Sequence, residues 1–426
     1  MRIFPIVFLL LLVYLTSLPA QTAALDSAMS LMINDRFVQA ASLLEQTVRH
    51  EPQNVSAWRL LGQARQALQQ YDLAANAFAK AANLRPADRA VRLNWADALI
   101  QLGRYDRAEA LLKQSSKQDS SDGPVNIRLA KVYFEQNRFG AALKYYYRLK
   151  KQFPDNAYFY RRAAVCASKL NRLKAAERDF RKTLQLNPAD FKASVLFYNL
   201  LKKQQRWPEA LNILNLALTN HPKASQLYLA RGDTYLSMEK YLPARQDYSR
   251  ALTLGDSTAY VFKKIGVAYY YLNDFAAALY ALQKSAQKKA DDPLVFYFLG
   301  LAQKSLNMTD KAIVSFRKAL ALALPTYLPD LYFNLADSYT SRKDYPTALS
   351  YYKQVLQVAP ERKIVLFYMA TIYDKYYKDA QVPLRYYQQF LQQANEKIPK
   401  RYKKYALERM KALREKLHFQ KGKLKK

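Results

Sequence analysis

Small residues recur along this chain at an interval of 34 positions: Ala28, Gly62, Ala96, Ala130, Ala164, Gly232, Gly266 and Gly300 share one register, broken only by Tyr198. The register shifts by two and continues at Ala336 and Ala370. A second ladder runs twelve positions later through Ala40, Ala74, Ala108, Ala142, Ala176, Ala210, Ala244, Ala278 and Ala312, with Ala348 after the shift. A period of this length marks a chain that stacks one supersecondary unit many times, each unit burying a face that it could not bury alone. At 426 residues the chain is also longer than a single growing core supports.

The unit is read most directly from residues 55–88, VSAWRLLGQARQALQQYDLAANAFAKAANLRPAD. Trp58, Leu61 and Gly62 lie at i, i+3 and i+4, one face of a first helix; Ala74, Phe78 and Ala81 lie at i, i+4 and i+7, one face of a second. The two faces pack on each other, and Gly62 and Ala74 are small because the helix backbones approach closely where they cross. Pro86 ends the second helix because it cannot continue the hydrogen-bond ladder. An aromatic or aliphatic residue recurs at the corner between the helices, as in Tyr71, Tyr105, Phe139, Leu173, Trp207, Tyr241, Phe275 and Tyr345.

With WRLLGQAR, AANAFAKA and the closing Pro in residues 58–86, the unit resembles the tetratricopeptide repeat. The resemblance covers residues 25–395 as eleven units, near 25–54, 55–88, 89–122, 123–156, 157–190, 191–224, 225–258, 259–292, 293–328, 329–362 and 363–395. It implies an all-α, right-handed superhelical solenoid of antiparallel helix hairpins. Three joints depart from the pattern. Asp122-Gly123-Pro124 replaces the closing Pro of the third unit, Leu324–Pro329 carries the two-residue insertion, and the last unit is irregular around Asp379–Pro383. In residues 396–426, Tyr405, Met410, Leu413 and Leu417 predict a capping helix with a basic outer face, and the terminal QKGKLKK is expected to fray.

Residues 1–24 combine one basic residue, an apolar stretch from Ile3 to Leu18, and Thr22 and Ala24 as small residues for cleavage, which predicts an export signal. The alternative is an uncleaved anchor, against which the stretch is short for a spanning helix. The expected location is the periplasm, the cell surface or the medium.

The net charge of +33 is uneven, with 20 Lys/Arg against 9 Asp/Glu in residues 101–200 and 13 against 2 in residues 397–426. Such a balance favours anionic partners. No arrangement of residues suits catalysis, a cofactor or a metal. His50, His221 and His418 lie in distant units, and Cys166 falls among the packing residues of a first helix, where a buried small hydrophobe is the expected role. The chain is therefore expected to bind and not to catalyse.

A binding face follows from the helical period. Positions 2, 5, 9 and 12 of each first helix, with neighbours 6 and 13, form a stripe that an array aligns along one surface. The resemblance implies that this is a concave groove. It carries Arg59 and Gln63 in repeat two; Arg128 and Lys131 in repeat four; Tyr158, Arg161, Arg162 and Lys169 in repeat five; Lys192, Asn199, Lys202 and Lys203 in repeat six; and Tyr260, Lys263, Lys264 and Tyr270 in repeat eight. These residues suit an acidic segment of a protein partner. They also fit a merely solvated face, an alternative to which the acidic exceptions Asp97, Asp233 and Asp337 point. The family's paired Lys and Asn that grip a terminal carboxylate are not reproduced, since repeat six offers Val195 and Asn199 there. The competing partner is an anionic polysaccharide of envelope assembly. The basic tail suits an anionic membrane surface, and nucleic acid is disfavoured by the export signal.

Overall fold

The computed structural model describes residues 23–116, 122–322, 325–396 and 398–423. Apart from Ala23 and Ala24, the expected signal lies outside them, as do Leu324 of the insertion and Leu424–Lys426 of the tail. The described residues are all-α, a solenoid of antiparallel helix pairs. The pairs are α1 (residues 23–33) with α2 (Phe37–His50), α3 (Val55–Ala67) with α4 (Tyr71–Leu84), α5 (Arg89–Gln101) with α6 (Tyr105–Ser116), and α7 (Gly123–Glu135) with α8 (Phe139–Gln152). They continue as α9 (Ala157–Lys169) with α10 (Leu173–Leu186), α13 (Ser225–Ser237) with α14 (Tyr241–Thr253), and α15 (Ala259–Tyr271) with α16 (Phe275–Lys288); between α10 and α13 the chain forms α11 (Phe191–Lys203) and α12 (Trp207–Asn220). The last are α17 (Pro293–Ser305) with α18 (Thr309–Leu322), α19 (Leu328–Ser341) with α20 (Tyr345–Val358), and α21 (Ile364–Tyr376) with α22 (Gln381–Gln393), followed by α23 (Lys400–Lys423). The chain divides into two compact units between Arg206 and Trp207, that is, between α11 and α12.

Two devices punctuate the hairpins. Six first helices start on an Asx cap: Asn54, Asp88, Asp122, Asn156, Asp190 and Asp292 each accept a backbone N–H of the first turn, satisfying a donor the helix leaves unpaired. The corner residue that follows takes a left-handed conformation in nearly every repeat, at Asp35, Gln69, Gly103, Asn137, Asn171, Gln205, Glu239, Asn273, Asn307 and Lys343. This reverses the chain within three residues. Only one of the ten is glycine, so the corner had no glycine signal in the sequence.

Between the helices of a pair, the small-residue ladders do what their spacing predicts. A Cβ added at Gly62 would stand 2.5 Å from the Phe78 ring, and one at Gly232 would stand 2.7 Å from Tyr248. Ala40, Ala74, Ala142, Ala244 and Ala348 are fully buried opposite. At the C-terminal end Ala406, Met410 and Leu413 of α23 close the core formed by Leu366, Phe367, Ala370, Tyr387 and Phe390. Arg409 of the same helix holds the buried Asp374 at 2.8 Å. The helix runs to Lys423, into the terminal segment QKGKLKK that was expected to fray.

Within the first unit α3 touches α5, α5 touches α7, and α9 touches α11; within the second, α15 touches α17. Among the described residues, no two successive second helices approach as closely, so in each unit the first helices line the inside of the bend.

Neighbouring repeats are also riveted by charge. Arg206, after α11, makes a two-pronged contact with Glu177 of α10, at 2.6 and 3.0 Å. The Arg206 hydrogen bonds hold the Glu177 carboxyl down at about 2, below its ordinary 4.5. A carboxylate depressed in the fold contributes stability that is fully present above the unfolded value near 4.5 and is lost as pH falls through about 2. Glu177→Gln is therefore expected to lower the melting temperature at pH 6 and to match the wild type near pH 2. Circular dichroism melts across that range check it; a constant offset at all pH would contradict the ion-pair origin.

Candidate functional site

In each unit the cations expected on the binding face lie on the first helices, and they are not equivalent. Some are held by carboxylates of the next repeat. Arg161 of α9 pairs at 2.9 Å with Asp190, the cap of α11, and Lys263 of α15 pairs at 2.6 Å with Asp292, the cap of α17. Others reach one repeat back. Arg128 of α7 grips Asp97 of α5, and Lys264 of α15 lies 2.9 Å from Asp233 of α13. Lys304 of α17 reaches forward instead, to Asp337 of α19. The acidic residues that stood as exceptions on a basic stripe are thus the partners of that stripe. Four of the expected groove cations, Arg128, Arg161, Lys263 and Lys264, have most of their charge answered inside the protein.

The tyrosines divide as well. Tyr270 packs edge-on against Phe298 and near Phe275, an inter-repeat contact within the second unit that makes it part of the packing. Tyr260 donates its hydroxyl to Asp233. Tyr158 is 43% exposed, with its ring beside Arg161 and Arg162. Arg162 lies over Phe134, with its carbon centre 3.6 Å from the ring centroid, and its Nε donates to the Tyr146 hydroxyl at 3.0 Å. Burial pushes the Tyr146 phenol well above its ordinary range, so it stays a neutral donor.

What remains is a set of cations concentrated in repeats four to six of the first unit. Lys131, Lys192, Lys202 and Lys203 meet no carboxylate among the described residues, and Lys192, Asn199, Lys202 and Lys203 are exposed. Lys202 lies 5.8 Å from the Tyr198 ring centroid, which orders its stem without neutralising its head. Spacing could place these residues on the face. It could not separate them from the compensated ones, because compensation depends on side chains 29 to 33 positions away.

Elsewhere the structure offers little for chemistry. Among the described residues no group of three or more His, Cys, Asp or Glu is placed to hold a metal ion, and no helix is long and apolar enough to cross a membrane. Cys166 is fully buried, and burial pushes its thiol up to about 12. Iodoacetamide at pH 8 is expected to alkylate it more than about a thousandfold more slowly in the folded protein than in 6 M guanidinium, because the thiolate is the nucleophile. Mass spectrometry of timed samples reads this directly, and rapid alkylation of the native protein would refute the packing role.

Comparison with known proteins agrees with this architecture. The model of the cytochrome c-type biogenesis protein H TPR domain matches residues 27–160, and two general tetratricopeptide repeat models match residues 331–365 and residues 225–254 and 294–324. Human Protein O-mannosyl-transferase TMTC3 is 22% identical over 57% of this chain, and that match spans 28% of its own length. The uncharacterized protein ycf37 of Guillardia theta is 33% identical over 23% of this chain and 56% of its own. The chain therefore spans less than two thirds of these relatives, and the transferase named for the first is a property of that longer protein. Among solved structures, a chain of the APC/C hetero-tetramer Cut9-Hcn1 is 16% identical over 92% of this chain and 83% of its own, with a TM-score of 0.44. YrrB, described as a TPR protein with an unusual peptide-binding site, is 22% identical over 44% of this chain and 95% of its own, with a TM-score of 0.39. With two ladders of small residues in phase, helix pairs following them and repeat models matching in both units, the chain belongs to the tetratricopeptide repeat proteins, whose arrays serve as scaffolds for protein interaction.

Proposed function

We propose that this protein is an exported, non-enzymatic scaffold that receives an acidic segment of another protein on the first-helix face of repeats four to six. The observation that supports this reading is the uneven compensation of charge: the flanking repeats carry their own carboxylates, whereas Lys131, Lys192, Lys202 and Lys203 do not. A patch whose cations are unpaired attracts an anion at little desolvation cost to existing ion pairs, and it steers encounter over the range of a Debye length. The apolar stretch Ile3–Leu18 supports the export part of the reading, and the partner would then be an envelope or secreted protein.

The test separates docking from stability. Arg161 and Arg162 are poor probes, because reversing Arg161 would strip the cap of α11 and reversing Arg162 would break its contacts with Tyr146 and Phe134. The exposed set Lys192→Glu, Lys202→Glu and Lys203→Glu leaves the packing intact. In-cell crosslinking of the tagged full-length protein is expected to lose its partner from this variant. Rebinding of the recovered partner is expected to weaken about tenfold or more at low salt, with a flatter salt dependence. Unchanged capture and salt slope would refute the reading, and selective recovery of carbohydrate would give the face to an anionic polysaccharide.

A further inference from the structure

The repeat symmetry shows what one place on this face is built to hold. At the junction of repeats seven and eight, Asp233 of α13 is surrounded by three donors. The Tyr248 hydroxyl donates to its Oδ1 at 2.7 Å, the Tyr260 hydroxyl donates to its Oδ2, and the Lys264 ammonium lies 2.9 Å from Oδ1. Three repeats earlier in the sequence stand Tyr146, Tyr158 and Arg162, in the positions of Tyr248, Tyr260 and Lys264. The position of Asp233 is taken by Lys131. The junction of repeats four and five therefore keeps a phenol, a second phenol and a cation, and replaces the internal carboxylate by a fourth donor.

The donors are built and not incidental. Tyr146 is 2% exposed, and its oxygen accepts from Arg162 Nε at 3.0 Å, which leaves its own O–H to be donated elsewhere. Arg162 is held over Phe134, its guanidinium carbon 3.6 Å from the ring centroid. Glu135 comes no closer to it than 3.8 Å, too far for a hydrogen bond. Tyr158 is 43% exposed beside it, so the cluster opens to solvent on one side. At the preceding junction, Asp97 and Arg128 again fill the position-9 and position-6 places with opposite charges. Lys131 with Arg162 is thus the one junction among these three at which both places are basic.

Resting on the docking reading above, we infer that Lys131, Tyr146, Tyr158 and Arg162 form a carboxylate-binding site in which an Asp or Glu side chain of the acidic partner takes the place that Asp233 occupies within the protein. A neutral polar residue would leave the charged donors unmatched, so the site discriminates Glu from Gln. It does so through the same hydrogen-bonding geometry that the seventh and eighth repeats use internally.

The decisive variant is Lys131→Asp, which supplies the carboxylate from within and should leave the fold at least as stable, because it copies an arrangement the protein already uses. Binding of fluorescein-labelled hexaglutamate to the full chain is measured by anisotropy at low salt, with hexaglutamine as control. The wild type is expected to bind hexaglutamate and not hexaglutamine. Lys131→Asp is expected to bind at least tenfold more weakly with an unchanged or raised melting temperature, and Lys131→Gln is expected to fall between them. Adding Asp233→Lys to the Lys131→Asp chain, which remakes the site three repeats on, is expected to restore binding. No binding by the wild type, or equal binding by wild type and Lys131→Asp, would overturn the inference. Loss of binding in the Lys192, Lys202 and Lys203 reversal with no effect of Lys131→Asp would overturn this site alone and leave the wider docking face standing.

Discussion

Asp179→Ala is expected to destabilise repeats four and five by about 3–5 kcal/mol, the cost of stranding one partner of a buried ion pair. Asp179 on α10 is 2% exposed, and its Oδ1 lies 2.6 Å from the ammonium of Lys150 on α8. That ammonium also faces the rings of Tyr147 and Tyr160, at 4.4 and 5.0 Å from their centroids. Burial already holds the Lys150 ammonium below the ordinary lysine range, so its charged form depends on Asp179. Without the carboxylate, Lys150 must lose its proton or leave its pocket, and either course disrupts the junction. The double variant Lys150→Met with Asp179→Leu removes both charges and is expected to recover most of the loss, since an apolar pair of similar volume carries no desolvation penalty. Urea unfolding of the two variants checks this; if the double variant loses as much as the single one, the contact acts through packing and not through charge.

The second large effect concerns the helix crossing in repeat nine. A Cβ on Gly300 would lie 2.5 Å from Phe316 Cε1 and 2.6 Å from its Cδ1, and Phe316 is fully buried. Phe316→Ala is expected to cost about 3–5 kcal/mol through lost burial and the cavity left behind. Gly300→Val is expected to cost about 3 kcal/mol by overpacking the same crossing. The two effects should not add. With the ring removed, the valine methyls enter the space it occupied, so the double variant is expected to be no less stable than Phe316→Ala alone. Thermal and urea unfolding of the four proteins completes the cycle, and additive losses would show that the glycine is small for some reason other than the ring.

These two sites differ in how far they could be read beforehand. The crossing glycine was legible, because Gly300 and Ala312 belong to ladders with a fixed interval, and Phe316 follows Ala312 by four residues as Phe78 follows Ala74, which puts ring and glycine face to face. The same logic placed Cys166 among packing residues, and it is buried. The Lys150–Asp179 pair was not legible: 29 residues separate them, and nothing in the spacing of charged residues says which cation faces which carboxylate across a junction. Arg161 and Lys263 looked like groove residues for the same reason. Their partners Asp190 and Asp292 cap α11 and α17, and only the packed junction shows one carboxylate capping a helix while it accepts an ion pair.

The architecture was thus contained in the amino-acid order. The interval of the small residues sets the repeat, the i, i+3, i+4 apolar faces set the hairpin, and both are local properties that helix geometry converts into structure without reference to distant residues. The binding face was contained only as a stripe of candidates. Which lysines and arginines keep their charge available was decided in three dimensions, because an ion pair forms or fails on a difference of a few ångströms between side chains of neighbouring repeats. The substitution of Lys131 for the carboxylate found three repeats on acquires meaning only once the donors around Asp233 can be seen.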